Sequence, residues 1–262
     1  VLDRTPEEGL PARSSSASKN EQKFPYRVCL AGGWMDQPWV SEICPGSVVV
    51  AQIKPSIDFN DRSGMATSSR KIGKELWGNQ YPEGDPYRNA RLLFGAENPP
   101  GAEYVSGSQD HIGLLVPGIS RLDYDGGYWP LHIENSADPE TCEWLSDVLH
   151  FAPLVPRPLG YNPLVEKNLT SSLVKKLGES GEKCYGAIQK KDVKLLGESM
   201  KETFLTWREM LPHTVPNWVM EEMQQNYFPN YSGAITSGSG GGYIVFPSEN
   251  KVEGTLNIKI RY

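Results

Sequence analysis

The chain has 262 residues, 38% hydrophobic and 22% charged, with a formal net charge of -6 at pH 7. That suffices for a substantial core, near the size at which one core divides into two. The acidic balance argues against the broad basic face that nucleic acid requires, and no apolar run approaches the ~18 residues of a membrane span, so neither partner is expected.

In chain order, residues 1–23 are polar and Ser-rich and read as a linker or the remnant of an upstream domain. The chain opens on Val1 rather than Met, which reads as a fragment or a processed product. Order is expected from Phe24. Residues 26–31 alternate like a strand, Gly32-Gly33 breaks it, and Trp34-Met35-Asp36-Gln37-Pro38 makes a turn. A second strand, 47–53, is apolar on consecutive positions and therefore buried on both faces. Small and hydroxylated residues 63–69 lead into a helix with Ile72, Leu76 and Trp77 at helical spacing, capped by Thr67 or Ser68. Another short helix is expected over 86–95, with Ala90, Leu93 and Phe94 inward.

Asp110 and His111 then sit side by side where a turn, Ser106-Gly107-Ser108, gives way to an apolar run. Asp near Gly is more often a solvated bend than a carboxylate aimed into a cleft. Residues 119–129 read as a strand pair closed by Asp125-Gly126-Gly127, with His132 to Glu134 as an extension. A helix over 138–148 is capped by Asp138, with Pro139 in its first turn.

The composition changes near residue 149, where a domain boundary is placed. The strand 149–158 carries prolines, so it is an edge or ends abruptly. Helices are expected over 171–177, 182–189, 192–211 and 216–225. The third carries Val193, Leu196, Met200, Phe204, Trp207 and Leu211 as one apolar stripe, which reads as core. Strands 243–246 and 255–260 close the chain after the glycine-rich run 237–242. The four cysteines form no CxxC pair and read as free thiols in a reducing cytoplasm.

Three small-residue clusters stand at element junctions. The run 63–69 precedes a helix, whose N-terminal N–H groups and dipole favour a phosphate; an ordinary capped helix has the same composition. The run 238–242 would let backbone approach a ligand, or is a flexible loop. Gly32-Gly33 taken alone is a turn. No GK[ST] and no helix-opening GxGxxG is present.

Together and in this order the motifs resemble those of the GHMP kinases, closest to the heptose and fucose kinase branch. The first motif is similar to Arg27-Val28-Cys29-Leu30-Ala31-Gly32-Gly33-Trp34-Met35-Asp36, and the phosphate loop to Gly64-Met65-Ala66-Thr67-Ser68-Ser69. Gly107-Ser108-Gln109-Asp110-His111 resembles the sugar-kinase G-x-Q-D-Q turn, and Gly238-Ser239-Gly240-Gly241-Gly242-Tyr243 the third, glycine-rich motif. The resemblance runs from about residue 25 to the C-terminus. It implies an α+β fold of two domains, a ribosomal protein S5 domain 2-like N-terminal domain over 24–148 and a ferredoxin-like C-terminal domain over 149–262.

The activity implied is an ATP-dependent, Mg2+-requiring sugar kinase that transfers the γ-phosphoryl group to a hydroxyl of a hexose- or heptose-like sugar. Residue by residue, Gly64, Met65, Ala66, Thr67, Ser68 and Ser69 would hold the ATP phosphates, with Ser68 and Glu97 on Mg2+. Asp110 would be the catalytic carboxylate and Arg27 would stabilise the transferring phosphoryl group. Asp36 would bind sugar hydroxyls, with Gly33, Trp34, His111, Gly240 and Gly241 also at the substrate. Such parts suit phosphoryl transfer, which needs positioning, a metal and charge stabilisation.

The sequence departs from the pattern at Ala66, Arg70 and His111, and the span between Ile53 and Ser63 is short. These departures leave open a degenerate, non-catalytic binding or regulatory module with a reduced nucleotide pocket. Residues 13–19 resemble the serine-rich closing motif of cytidylyltransferase-type enzymes, which implies the kinase half of a bifunctional nucleotide-sugar enzyme; a plain linker is the alternative. Trp34, Trp39, Tyr128 and Trp129 would stack on a sugar or belong to the core.

Overall fold

The computed structural model describes residues 23–155 and 157–262. The linker and nucleotidyltransferase-like readings of the N-terminal segment therefore fall outside the described residues, except at Lys23, which forms an antiparallel bridge with Gln80.

Two antiparallel four-stranded sheets share one continuous core. The first has the order β1 (Tyr26–Ala31), β2 (Gly46–Ile53), β3 (Ile119–Tyr124), β4 (His132–Ser136). The second has the order β6 (Ile235–Thr236), β7 (Tyr243–Pro247), β5 (Leu149–Pro153), β8 (Leu256–Asn257). Eight α-helices accompany them among the described residues: α1 (Pro38–Ser41), α2 (Thr67–Trp77), α3 (Pro86–Glu97), α4 (Gln109–Leu115), α5 (Pro139–Val148), α6 (Ser171–Gln189), α7 (Val193–Met210) and α8 (Asn217–Glu222). This is the α+β arrangement that the motif order implied.

The strands divide at Leu149, but the helices do not. Following that boundary in the chain, α6 packs onto β2 of the first sheet. Gly178 abuts Gly46, and Gly181 abuts the Ser47 carbonyl, so helix and strand meet backbone to backbone with no room for a Cβ on either. The consecutive apolar residues Val48, Val49 and Val50 of β2 are all buried, as expected for a strand covered on both faces.

Several local expectations change. The helix α2 is capped by neither Thr67 nor Ser68; its N-cap is Ala66, in the left-handed region at φ +54°, with no side-chain cap. Asp110 does not sit in a bend but in the first turn of α4. Besides β2, β3 pairs with β4, not with residues 128–129. The strand β5 is interior rather than an edge, lying between β7 and β8, and it ends at Pro153. The helices expected over 171–177 and 182–189 are one helix, because Gly178 and Gly181 serve close packing rather than a break. Only Leu256–Asn257 of the last expected strand joins a sheet; Ile260 instead bridges to Ile53 of β2.

Two of the sequence departures have structural explanations. Arg70 is buried, donates from Nε to the Pro25 carbonyl and from Nη2 to the Phe24 carbonyl (both 2.9 Å), and lies 3.8 Å from the Tyr26 ring centre. It ties α2 to the start of β1. In the short span before the loop that leads into α2, Phe59 is buried against Tyr26, Phe151 and Tyr243, which joins the two sheets with aromatic contacts.

Candidate active site

The two halves of the chain enclose a cleft of about 380 Å³. Its walls come from the end of β1 and the turn after it (Arg27, Gly33, Trp34, Asp36), the loop before α2 (Gly64, Ala66, Thr67, Ser68), the start of α4 (Gly107, Gln109, Asp110) and the third loop (Ser237, Gly238, Ser239).

At one end, polar side chains dominate. Arg27 is buried and its guanidinium forms an ion pair with the partly exposed Asp110 carboxylate. Burial draws the Arg27 guanidinium below its ordinary value, opposed by Cys29, Asp36 and Tyr124. Burial also pushes the Asp36 carboxyl up, while Arg27 and Gln109 pull it back. The Gln109 Nε2 donates to Asp36 Oδ1 at 2.8 Å. Glycine is required around this cluster: a Cβ on Gly107 would collide with the Asp36 carboxylate, and one on Gly113 with the Arg27 side chain. Trp34 stands in the same wall at φ +85°, a backbone conformation uncommon for an aromatic residue and one that clusters at functional positions. Trp207, on α7, closes the floor by donating from Nε1 to the Gly33 carbonyl at 2.8 Å.

The other end is built from backbone. Gly64 (φ +74°) and Ala66 leave the N-terminus of α2 without a side-chain cap, so its first N–H groups and positive dipole end remain available. The third loop lies against this loop: a Cβ on Gly64 would strike Gly238, and Ser237 Oγ donates to the Ser63 carbonyl at 2.5 Å. A cradle in which Cβ atoms find no room, beside an uncapped helix start, fits a polyphosphate.

Not every expected residue lines the cleft. Met65 and Ser69 are fully buried behind it. His111, expected to contact substrate, is also fully buried; its Nε2 lies 2.7 Å from Glu97 Oε2 and its ring meets Phe94 edge-on. It faces inward because it follows Asp110 on a helix, about 100° round the axis, not on an open turn. Burial alone would raise the Glu97 carboxyl, but His111 and then Ser69 and Ser106 outweigh it and hold the group below its ordinary value. Ser69 Oγ is buried beside this carboxylate, without a partner at hydrogen-bond geometry among the described residues. Gly240 and Gly241 also lie off the cleft, packed on Tyr161 and on the Val155 carbonyl; Ser237, Gly238 and Ser239 stand in the wall instead.

Among the described residues, no group of three or more His, Cys, Asp or Glu side chains is placed to hold a metal ion. An ionised Glu97 with an orphaned serine hydroxyl nevertheless offers hard oxygen donors, which suit Mg2+ when phosphate oxygens and water complete the shell.

Sequence reasoning missed Gln109 as an Asp36 partner, and missed Tyr104, Arg157, Asn162, Leu164 and Trp207 as wall residues. The G-x-Q-D-Q resemblance was a signal for Gln109; Trp207 was hidden inside a regular apolar stripe.

No protein-family model matches the chain, and no curated protein matches it in sequence. Solved structures do match. A mevalonate kinase superposes with a TM-score of 0.63 at 11% identity, covering 92% of this chain and 98% of that one. Galactokinase of Lactococcus lactis, complexed with galactose, gives 0.58 at 12% identity over 87% of this chain and 85% of that one. A D-glycero-D-manno-heptose 1-phosphate kinase from Bacteriodes thetaiotaomicron gives 0.54 at 13% identity over 92% and 95%. The chain has the fold of the GHMP kinases.

Proposed function

We propose that this protein is an ATP-dependent small-molecule kinase that phosphorylates a hydroxyl of a sugar or sugar-like polyol. The observation that carries the reading is the ion pair between the buried Arg27 and the partly exposed Asp110, which shares one cleft with the uncapped, glycine-bounded N-terminus of α2. The cleft has contributions from both the proposed N-terminal domain (24–148) and the proposed C-terminal domain (149–262).

In this reading the backbone from Gly64 to Ser68 and the α2 dipole hold the donor phosphates. The Arg27 guanidinium pairs with Asp110 and faces the transferring phosphoryl charge. Asp110 accepts the proton of the attacking hydroxyl or orients it, at the entrance of α4. Asp36, aimed by Gln109, binds a second hydroxyl of the acceptor, and Trp34 with Tyr104 supplies aromatic surface for its ring. Glu97 with Ser68 and Ser69 would hold Mg2+, which when bound would neutralise phosphate charge. His111 keeps Glu97 in place from behind.

The preference for a polyhydroxylated acceptor rests on the paired Asp36–Gln109 group, which offers a fixed acceptor and donor set to hydroxyls. The test is ADP release with MgATP across a panel of free hexoses, heptoses and polyols, with mevalonate as the non-sugar comparison. Turnover on a sugar is expected. No turnover with any acceptor, together with no MgATP binding by calorimetry, would sink the reading.

A further inference from the structure

Arg157 stands in the cleft wall without a role in any motif. It follows β5 on a loop that also brings Asn162, Pro163 and Leu164 to the cleft. The loop is fastened to the third loop on both sides: Leu154 N donates to the Gly242 carbonyl at 2.9 Å and Gly242 N to the Val155 carbonyl at 3.4 Å. Tyr161 packs its ring on Gly240 and hydrogen-bonds the His213 carbonyl. Gly242 abuts the Ser63 carbonyl, so the same contacts place this loop beside the start of the phosphate loop.

The other charged groups of the cleft are occupied. Asp110 pairs with Arg27, and Asp36 is held by Gln109. Arg157 is half-buried, and no carboxylate among the described residues acts on it; the titratable neighbours are Tyr161 and Arg62, the latter another cation. Burial draws its guanidinium below the ordinary value, and Arg62 adds to this. A guanidinium set in a cleft wall near a second cation, without a counter-charge, is a costly arrangement unless an anion completes it. Its planar fork of donors matches phosphate oxygens two at a time.

We propose that Arg157 is an anion-binding residue of the cleft that takes a phosphate group, carried either by the donor nucleotide or by the acceptor itself. This rests on the kinase reading for the identity of the ligands, not for the existence of the site. The site at Arg157 lies beside the phosphate loop, whereas Arg27 is engaged at the Asp110 end. It therefore adds a side-chain contact where the phosphate loop otherwise offers backbone.

The test is calorimetric titration of the full chain and of its Arg157→Ala and Arg157→Lys variants with MgATP, inorganic pyrophosphate, a free hexose and the corresponding hexose phosphate. Arg157→Ala is expected to weaken one class of phosphate ligand by about ten- to a hundredfold, the range for hydrogen bonds to a charged group, with free hexose unaffected. Arg157→Lys, which keeps the charge without the fork, should recover part of the loss. A loss on MgATP and pyrophosphate assigns the donor; a loss confined to the hexose phosphate assigns the acceptor. Equal affinities in all three proteins for every phosphate ligand overturn the proposal. If the wild-type chain turns over a sugar and Arg157→Ala does so with unchanged constants, the kinase reading stands and this one falls. If the wild type shows neither turnover nor MgATP binding, yet Arg157→Ala loses the pyrophosphate affinity that the wild type has, the reverse holds. A melting curve for each variant, expected within a few degrees of wild type because the side chain loses no salt bridge to a described carboxylate, separates misfolding from lost contact.

Discussion

The two ends of the cleft are built from different material. The proposed acceptor end is a set of side chains, Arg27 and Asp36 buried and Gln109 and Asp110 partly exposed, each held by another. The proposed phosphate end is backbone and glycine, with a helix start left uncapped. The difference teaches how each end can fail. Side-chain chemistry is lost by an isosteric change that leaves the shape intact. A backbone cradle is lost by adding atoms, because Gly64 and Gly238 already touch.

The largest effect is expected for Asp110→Asn. It preserves volume, removes the proton acceptor and leaves Arg27 without its partner. Turnover should fall by about a hundred- to ten-thousandfold in an ADP-release assay, with MgATP affinity changed far less. A variant with near wild-type turnover would move the chemistry away from α4.

Gly64→Ala addresses the opposite end. The added methyl meets Gly238 and the backbone is at φ +74°, so a cost of about 1–3 kcal/mol from overpacking is expected, together with weakened MgATP binding. Gly78→Ala is the matched control: it has a similar positive φ (+67°) but open space around the new methyl, at the far end of α2. Denaturant melts and nucleotide titrations on both variants separate steric closure of the cradle from backbone strain alone. Equal nucleotide affinities in the two would remove the cradle from the argument.

Asp36→Asn is expected to split stability from function. Burial raises the folded-state value of this carboxyl, so the folded chain binds its proton more tightly than the unfolded chain does. The contribution to stability is present below the unfolded value and declines as pH rises through the folded one. The Asn variant, which does not ionise, should therefore gain on wild type as pH rises from about 4, the unperturbed range of Asp. Its acceptor KM should rise at the same time. Melting temperatures measured from acid to neutral pH check the first point, and a variant that becomes relatively less stable over that interval contradicts it.

The smallest effect is expected for Trp207→Phe. It keeps most of the buried ring but leaves the Gly33 carbonyl without its donor, at a cost of about 1 kcal/mol. Urea melts should show that loss, with the acceptor end more affected than the phosphate end, since Gly33 adjoins Trp34.

How much of this was legible beforehand differs by residue. The phosphate loop, Asp110, Arg27 and Asp36 were reached through motif order, and the cleft brings parts of all four motifs together. His111 was expected at the substrate, yet it is fully buried against Glu97 and does not line the cleft. The reason is helical geometry. A turn would have exposed both members of the Asp110-His111 pair, whereas a helix sends consecutive side chains in different directions. Thr67 and Ser68 looked like ordinary caps because composition records which residues precede a helix, not whether their side chains fold back to close it. Arg157 carried no local signal, since its setting comes from Gly240, Gly242 and Ser63, all distant in sequence.

What the chain alone determined was its periodicity and punctuation. Apolar alternation in β1, the consecutive valines of β2, the stripe on α7 and the glycine runs are local properties, imposed by covalent geometry and burial of apolar surface. What only the tertiary structure decided was which polar groups would be left with partners and which without. That depends on packing between distant segments: α6 against β2, the third loop against the phosphate loop, and β5 carrying Arg157 to the same cleft. Long-range contact sets local dielectric and pairing, and those two quantities separate a solvated bend from a carboxylate held against a buried guanidinium.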